Sequence, residues 1–299
     1  MQKPTLVQIK TKDGLTLPGM LYRPKRSKSA AIHLHGNGSS SVFYHDDMRG
    51  EMAKVLNAKN ISLLLFNNRG AHYIKKLHPY KKGRETSKRY GMAYEKIKEC
   101  ILDVDGAIDF LKKQGYKKLY LIGESTGANK ICVYNFYKPR NKISKYILLG
   151  GGDDTGIYYY TLGRKKFNRL LKEASTKIKK RKGGEIIEEL LPGMIFSYQG
   201  FYDIANPNGD YNVFPFYEAL KKIKLSSKPL FRHFISINKP TLVVYGEEDK
   251  YVWGNVSRVV DILRKRKPEF EYKVIEGADH SFSAHQNQLA RIMANWLSS

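Results

Sequence analysis

Gly123-Glu124-Ser125-Thr126-Gly127, directly after the apolar run Leu119-Tyr120-Leu121-Ile122, is the stretch that decides how this chain folds. It has the Gly-x-Ser-x-Gly form of a nucleophile elbow, a strand-to-helix turn tight enough to hold its central residue in a strained backbone conformation. Glycines two before and two after the serine suit such a turn, because larger side chains would collide across it. The turn lifts the Ser125 hydroxyl clear of the sheet and aims the backbone N–H of Thr126 at the space where an oxyanion would form. Five-residue patterns recur by chance, and three further features at matching places in the chain raise this one above that level.

A serine hydroxyl is a poor nucleophile until a base removes its proton, and the base needs an acid to orient it. Both partners follow in the order Ser…Asp…His. Asp249 ends the run Leu242-Val243-Val244-Tyr245-Gly246-Glu247-Glu248-Asp249, in a loop at the carboxyl edge of the sheet. His280 follows the next strand, in Gly277-Ala278-Asp279-His280-Ser281-Phe282, before the last helix. Glu247 and Glu248 are close competitors of Asp249 for the acid, and Asp279 a distant one. His285 falls inside an expected helix and His233 in an insertion, which disfavours both as the base. A second oxyanion donor comes from the loop His35-Gly36-Asn37-Gly38-Ser39, where glycines let the main chain approach a substrate and the N–H of Asn37 faces the developing charge. That loop lacks the Gly-Lys-Ser/Thr ending of a phosphate cradle. The run Gly150-Gly151-Gly152 lacks the spacing of a dinucleotide fingerprint. His33, inside a strand, reads as a core histidine. No set of His, Cys and carboxylates has metal-site spacing, so no metal is expected.

Around these motifs, short apolar runs alternate with helical periodicity. Strands are expected at 5–11, 15–22, 30–35, 61–66, 118–122, 145–149, 240–245 and 272–275. Helices are expected at 43–58, through Ile97, Cys100, Ile101, Val104, Ile108 and Leu111, at 126–137, 256–266 and 284–297. Alternation of this kind means a mostly parallel sheet covered on both faces. Residues 155–238 break the rhythm after the sixth strand and read as a helical lid over the strands' carboxyl ends, leaving 1–154 and 239–299 as the core. From Arg164 to Lys182 ten basic residues face the single acid Glu173, while Phe167, Leu170, Leu171, Ala174 and Ile178 keep helical spacing. This is an amphipathic helix with a cationic face, read first as solvated and second as a dock for an anionic surface or acidic substrate. Tyr158, Tyr159, Tyr160, Phe196, Tyr198, Phe201 and Tyr202 are split evenly between lining a pocket and forming the core of the lid.

The chain of 299 residues suits one large α/β domain with an insertion, and 41% hydrophobic content argues for a folded protein. Net charge is +25, carried by 38 Lys and 15 Arg spread along the whole length. Without a defined motif or arginine-rich patch this reads as a lysine-rich solvated surface, not a specific nucleic-acid site. The first residues lack the apolar stretch of a signal peptide, no run approaches membrane-span length, and Cys100 and Cys132 fall on apolar helix faces as buried thiols. A cytoplasmic location is the expectation.

The motifs His35-Gly36-Asn37-Gly38, Phe66-Asn67-Asn68-Arg69-Gly70, Gly123-Glu124-Ser125-Thr126-Gly127, Gly246-Glu247-Glu248-Asp249 and Gly277-Ala278-Asp279-His280-Ser281-Phe282 resemble those of the α/β-hydrolase superfamily, close to its intracellular esterase and peptidase-like serine hydrolases. The resemblance spans nearly the whole chain outside the insertion. It implies Ser125, Asp249 and His280 as a triad, Asn37 and Thr126 as oxyanion donors, no cofactor, and a small-molecule acyl substrate. Asn67 stands where the family's turn carries aspartate, a change confined to scaffold. The expected activity is hydrolysis of a carboxylic ester through an acyl-enzyme on Ser125. Thioesterase, amidase or acyltransferase activity would use the same machinery. A non-catalytic binding protein with a basic lid is the rival from another class.

Overall fold

The computed structural model describes residues 3–38, 40–44, 47–190, 193–221 and 223–299. Ser39 of the glycine-rich loop, His45 and Asp46 of the first expected helix, and Leu191 of the insertion lie outside the described residues. Eight strands form one sheet: β1 (Thr5–Lys10), β2 (Thr16–Tyr22), β3 (Ser29–Leu34), β4 (Ile61–Phe66), β5 (Lys118–Glu124), β6 (Lys145–Leu149), β7 (Thr241–Gly246) and β8 (Glu271–Ile275), in the order β1-β2-β4-β3-β5-β6-β7-β8. β1 pairs antiparallel with β2, and β2 with β4; every other pairing is parallel. The fold is that of the α/β hydrolases, as the motifs implied.

The central strands are apolar on both faces because both faces are covered. On one side Leu63, Leu65, Tyr120, Ile122, Leu242 and Val244 pack against α1 (Asp47–Ala58) and α9 (Gln286–Ser298). On the other, Leu64, Phe66, Leu119 and Leu121 pack under α2 (Cys100–Lys113), α3 (Thr126–Tyr137) and α8 (Val256–Arg264). Cys100 and Cys132 are buried free thiols in this second layer. Among the described residues no helix is long and apolar enough to cross a membrane.

The segment between β6 and β7 holds α4 (Asp154–Lys179), α5 (Tyr198–Ala205), α6 (Phe216–Lys221) and α7 (Arg232–Ile235). The basic helix expected from residue 164 is the second part of α4, which bends at Gly163 (φ 72°, ψ 154°), a conformation open to glycine. Phe167, Leu170 and Ala174 are buried in one cluster with Phe196 and Phe201. The cationic face is partly paired, with Lys177 Nζ 2.6 Å from Glu185 and Arg169 3.4 Å from Glu189.

Several boundaries differ from expectation. α2 begins at Cys100, and Ile97 sits in a short 3-10 turn before it. His285 is the residue before α9, not inside it. Residues 75–90 form two small antiparallel ribbons, Lys75–Leu77 with Lys88–Tyr90 and Tyr80–Lys81 with Arg84–Glu85. Strands of two or three mostly exposed residues carry no readable alternation, which is why periodicity gave no sign of them.

Candidate active site

Strand register sets the site's layout. β5 lies between β3 and β6, with Gly123 opposite Leu34 and Glu124 opposite Leu149. The chain therefore leaves the sheet at Ser125 with the loop from His35 on one side and Gly150 on the other. Ser125 adopts φ 54° and ψ −122°, and its N–H donates to the Leu149 carbonyl at 2.8 Å. A Cβ on Gly127 would overlap the Leu34 carbonyl, and one on Gly123 the Gly127 carbonyl, so the turn closes only with glycine at both positions.

Asp249 leaves the end of β7 buried, at 1% exposure, where its charge acts through a low dielectric. Its two oxygens do different things. Oδ1 accepts the N–H of Tyr251 at 2.8 Å, capping the turn Lys250–Val252. Oδ2 accepts from His280 Nδ1 at 2.8 Å. His280 Nε2 lies 3.0 Å from Ser125 Oγ, positioned to take its proton. Gly150, at φ 55°, passes close beneath this pair: a Cβ there would stand 3.2 Å from the imidazole and 3.4 Å from the carboxylate. The Tyr251 ring also packs against the imidazole, with ring centres 4.4 Å apart. The competing acids are turned elsewhere, Glu247 accepting from the Gly277 N–H at 3.0 Å and Asp279 from the Ser283 N–H at 2.8 Å. His233 pairs with Asp210 at 3.1 Å within the inserted segment, and His285 Nδ1 meets the Ser283 carbonyl at 2.9 Å.

Thr126 is the first residue of α3, where a backbone N–H has no partner within its own helix. Asn37 stands across from it on the His35 loop. The Asn37 side-chain amide donates to the Tyr211 hydroxyl at 3.2 Å, an anchor from the inserted segment that no motif signalled. Burial, together with nearby Lys130, holds the His35 imidazole well below the usual histidine range, so it is neutral. In that state Nδ1 donates to the Gly36 carbonyl at 2.8 Å and Nε2 accepts the Asn68 N–H at 3.2 Å, tying the loop to the turn after β4.

Ser125, His280, Asn37 and Thr126 open onto a cavity of about 540 Å³, also lined by Tyr73, Met92, Ile157, Tyr158 and Met194. Of the seven aromatics weighed as pocket residues, Tyr158 lines this cavity. Phe196 and Phe201 are buried in the segment's core, and Tyr160 is exposed. Below the elbow, Glu124 Oε2 sits 3.2 Å from Arg49 and 3.3 Å from His33. Burial raises the Glu124 acid, but these two partners outweigh it and hold it down at about 2. His33 thus serves the Glu124 carboxylate within the core.

Residues 86–298 match the family described as "Protein of unknown function (DUF1749)", and the chain belongs to that family. No curated protein matches it in sequence. Among solved structures it is similar to Est1E from Butyrivibrio proteoclasticus, at 14% identity and a TM-score of 0.57 over 98% of this chain and 97% of that one. It is similar to the esterase PF2001 of Pyrococcus furiosus at 19% identity and a TM-score of 0.60, over 99% of this chain and 90% of that one. The carboxylesterase CesB (YbfK) of Bacillus subtilis resembles it at 14% identity and a TM-score of 0.56, over 98% and 91% of the two chains. At these identities the likeness establishes the α/β-hydrolase fold.

Proposed function

We propose that this member of the DUF1749 family is a serine hydrolase that cleaves a carboxylic ester, or a related acyl bond, through an acyl-enzyme on Ser125. The observation that carries the reading is the unbroken chain from Ser125 Oγ to His280 at 3.0 Å and from His280 to buried Asp249 at 2.8 Å, at the wall of the cavity. Ser125 Oγ attacks the carbonyl carbon as its proton passes to His280 Nε2, while the Nδ1–H remains donated to Asp249. The oxyanion is held by the N–H groups of Asn37 and Thr126. Loss of one such donor costs about 3–4 kcal/mol of transition-state stabilisation. Collapse expels the alcohol, which takes the proton from His280. Water, deprotonated by the same imidazole, then attacks the acyl carbon and releases the acid. Thioester, amide or acyl-transfer chemistry would use these same groups. The inserted segment, residues 155–238, acts as a lid, consistent with Ile157, Tyr158 and Met194 lining the cavity. Its basic face offers weak association with anionic surfaces.

The test is labelling by a fluorophosphonate probe in the native chain, Ser125→Ala and His280→Ala, beside a panel of nitrophenyl esters. Ester turnover, with labelling of the native chain alone, is the expected result. A folded native protein that neither labels nor turns over any ester would defeat the reading and leave a binding protein built on a hydrolase scaffold.

A further inference from the structure

The lining of the cavity above Ser125 differs in character from the strongly basic protein around it. The chain bears +25, yet none of the described residues lining the cavity is lysine or arginine, and two, Glu124 and Asp154, are acids. Glu124 already has Arg49 and His33 as partners. Asp154, the first residue of α4, is in a different position. Its Oδ2 accepts a hydrogen bond from the neutral amide of Asn129 at 3.1 Å, and among the described residues no cation pairs with it. Its neighbour Asp153 is no help: that carboxylate accepts the N–H groups of Gly156 and Tyr217 and adds like charge. Burial, then Asp153, push the Asp154 acid up to about 7, outweighing the smaller opposing pull of His280 and Lys130, neither of which pairs with it directly.

Two further features of the same cavity point to a ligand. Thr126 is 1% exposed, and its Oγ1 lies beside the Tyr211 hydroxyl without a hydrogen bond of ordinary geometry. Tyr73, Tyr158 and Tyr251 contribute three rings to the lining. Tyr73 and Tyr158 line the same cavity as Asp154, and burial first, then Asp154 and Tyr73, push the Tyr158 hydroxyl up.

We infer that this wall is a subsite for a protonated nitrogen on the substrate, an alkylammonium or guanidinium group, with Asp154 as its counter-ion and Tyr73 and Tyr158 as aromatic flanks. A cation entering here gains a charge-assisted hydrogen bond in a partly desolvated site and the negative faces of aromatic rings. The basic exterior does not prevent this, since surface charge is screened beyond about 8 Å at physiological ionic strength. Selection is made at contact. The inference rests on the serine-hydrolase reading for what the bound group does, which is to present a cationic acyl compound to Ser125.

The experiment compares nitrophenyl ε-aminocaproate with nitrophenyl heptanoate, which carries methyl in place of ammonium. In the native protein kcat/KM should favour the cationic ester by about 10- to 100-fold, the range expected of a hydrogen bond to a charged group. Asp154→Asn should bring that ratio to near one, and reading a ratio within each protein cancels general losses of activity. Turnover of both esters without preference, or a preference that survives in Asp154→Asn, overturns the subsite and leaves the hydrolase reading standing. Failure of both esters and of the Ser125 probe overturns the hydrolase reading instead. Calorimetric titration with hexylammonium and with hexanol then decides the subsite alone. Saturable binding of the ammonium that is lost in Asp154→Asn supports it, and no binding to the native protein overturns it. Should Asp154→Asn not fold, the native ratio measured across pH takes its place: a fall on acidification supports the subsite, and a flat ratio overturns it.

Discussion

Replacing Asp249 with asparagine tests the geometry more sharply than deleting the serine. In the native site Oδ1 receives the Tyr251 N–H at 2.8 Å and Oδ2 receives His280 Nδ1–H at 2.8 Å. An asparagine keeps its oxygen where the Tyr251 N–H is fixed by the backbone, so its NH₂ must turn toward His280. Two donors cannot face each other, and the imidazole then carries its proton on Nε2, the nitrogen 3.0 Å from Ser125 Oγ. A protonated Nε2 accepts nothing from the serine. In a serine protease, the corresponding change to the wrong tautomer lowers kcat about 10⁴-fold, or roughly 5.5 kcal/mol in the barrier. A loss of that order is expected here for the preferred nitrophenyl ester, chiefly in kcat, with KM within about threefold because the cavity lining is unchanged. Circular dichroism should report a folded protein, since asparagine has the same shape and carries no buried charge. Stopped-flow or endpoint release of nitrophenol gives kcat. If Asp249→Asn keeps kcat within tenfold of native while Ser125→Ala is dead, the Asp249–His280 bond does not set the tautomer and the reasoning fails.

Arg69 should matter for stability. Its Nε and Nη2 donate to Asp103 Oδ1 at 2.9 and 2.8 Å, while Nη1 reaches Asp13 and Glu99, each at 3.1 Å. Arg69→Met leaves the Asp103 carboxylate buried and unpaired, costing about 3–5 kcal/mol. A fall in Tm of roughly 6–15 °C by calorimetry is expected, and a fall under about 2 °C would contradict it. The ratio of cationic to neutral ester cleavage should itself depend on pH. Asp154 is raised to about 7 by burial and by Asp153, with Glu95 raising it further and His280 and Lys130 lowering it. Its proton must leave before a cation can pair, so the preference is present above that pH and is lost as pH falls through it. The neutral ester controls for protonation of His280, and a ratio constant between about one unit below and above that pH refutes the assignment.

Much of the core was legible because its signals are local. β3, β4, β5 and β7 are short apolar runs bounded by turn residues, and such runs cannot be solvated cheaply, so they declare themselves as covered strands. The elbow was legible for a steric reason: only glycine fits at 123 and 127 against the carbonyls of Gly127 and Leu34. The ribbons at 75–90 left no such trace, since their residues face water and impose no period. Four acids, Asp249, Glu247, Glu248 and Asp279, were candidates on sequence grounds, and residues so close in the chain differ only in where the loops turn them. Tertiary structure separated them by giving Glu247 the Gly277 N–H and Asp279 the Ser283 N–H and by leaving Glu248 exposed, so that buried Asp249 meets His280.

What the sequence by itself determined is the order of elements, the strained turn at Ser125 and the chain order of serine, acid and base, all consequences of periodicity and of steric limits within a few residues. What only the tertiary structure decided is the environment each of those groups meets. A net charge of +25 gives no hint of a cavity whose described lining residues include no lysine or arginine, nor does Asp154 in the sequence differ from any other helix-starting aspartate. Burial and counter-charge are set by residues far apart in the chain, Asn129 from α3, Tyr73 from the loop after β4 and Asp154 from the start of α4. Their effect on a proton or a ligand exists only once packing has removed the water between them.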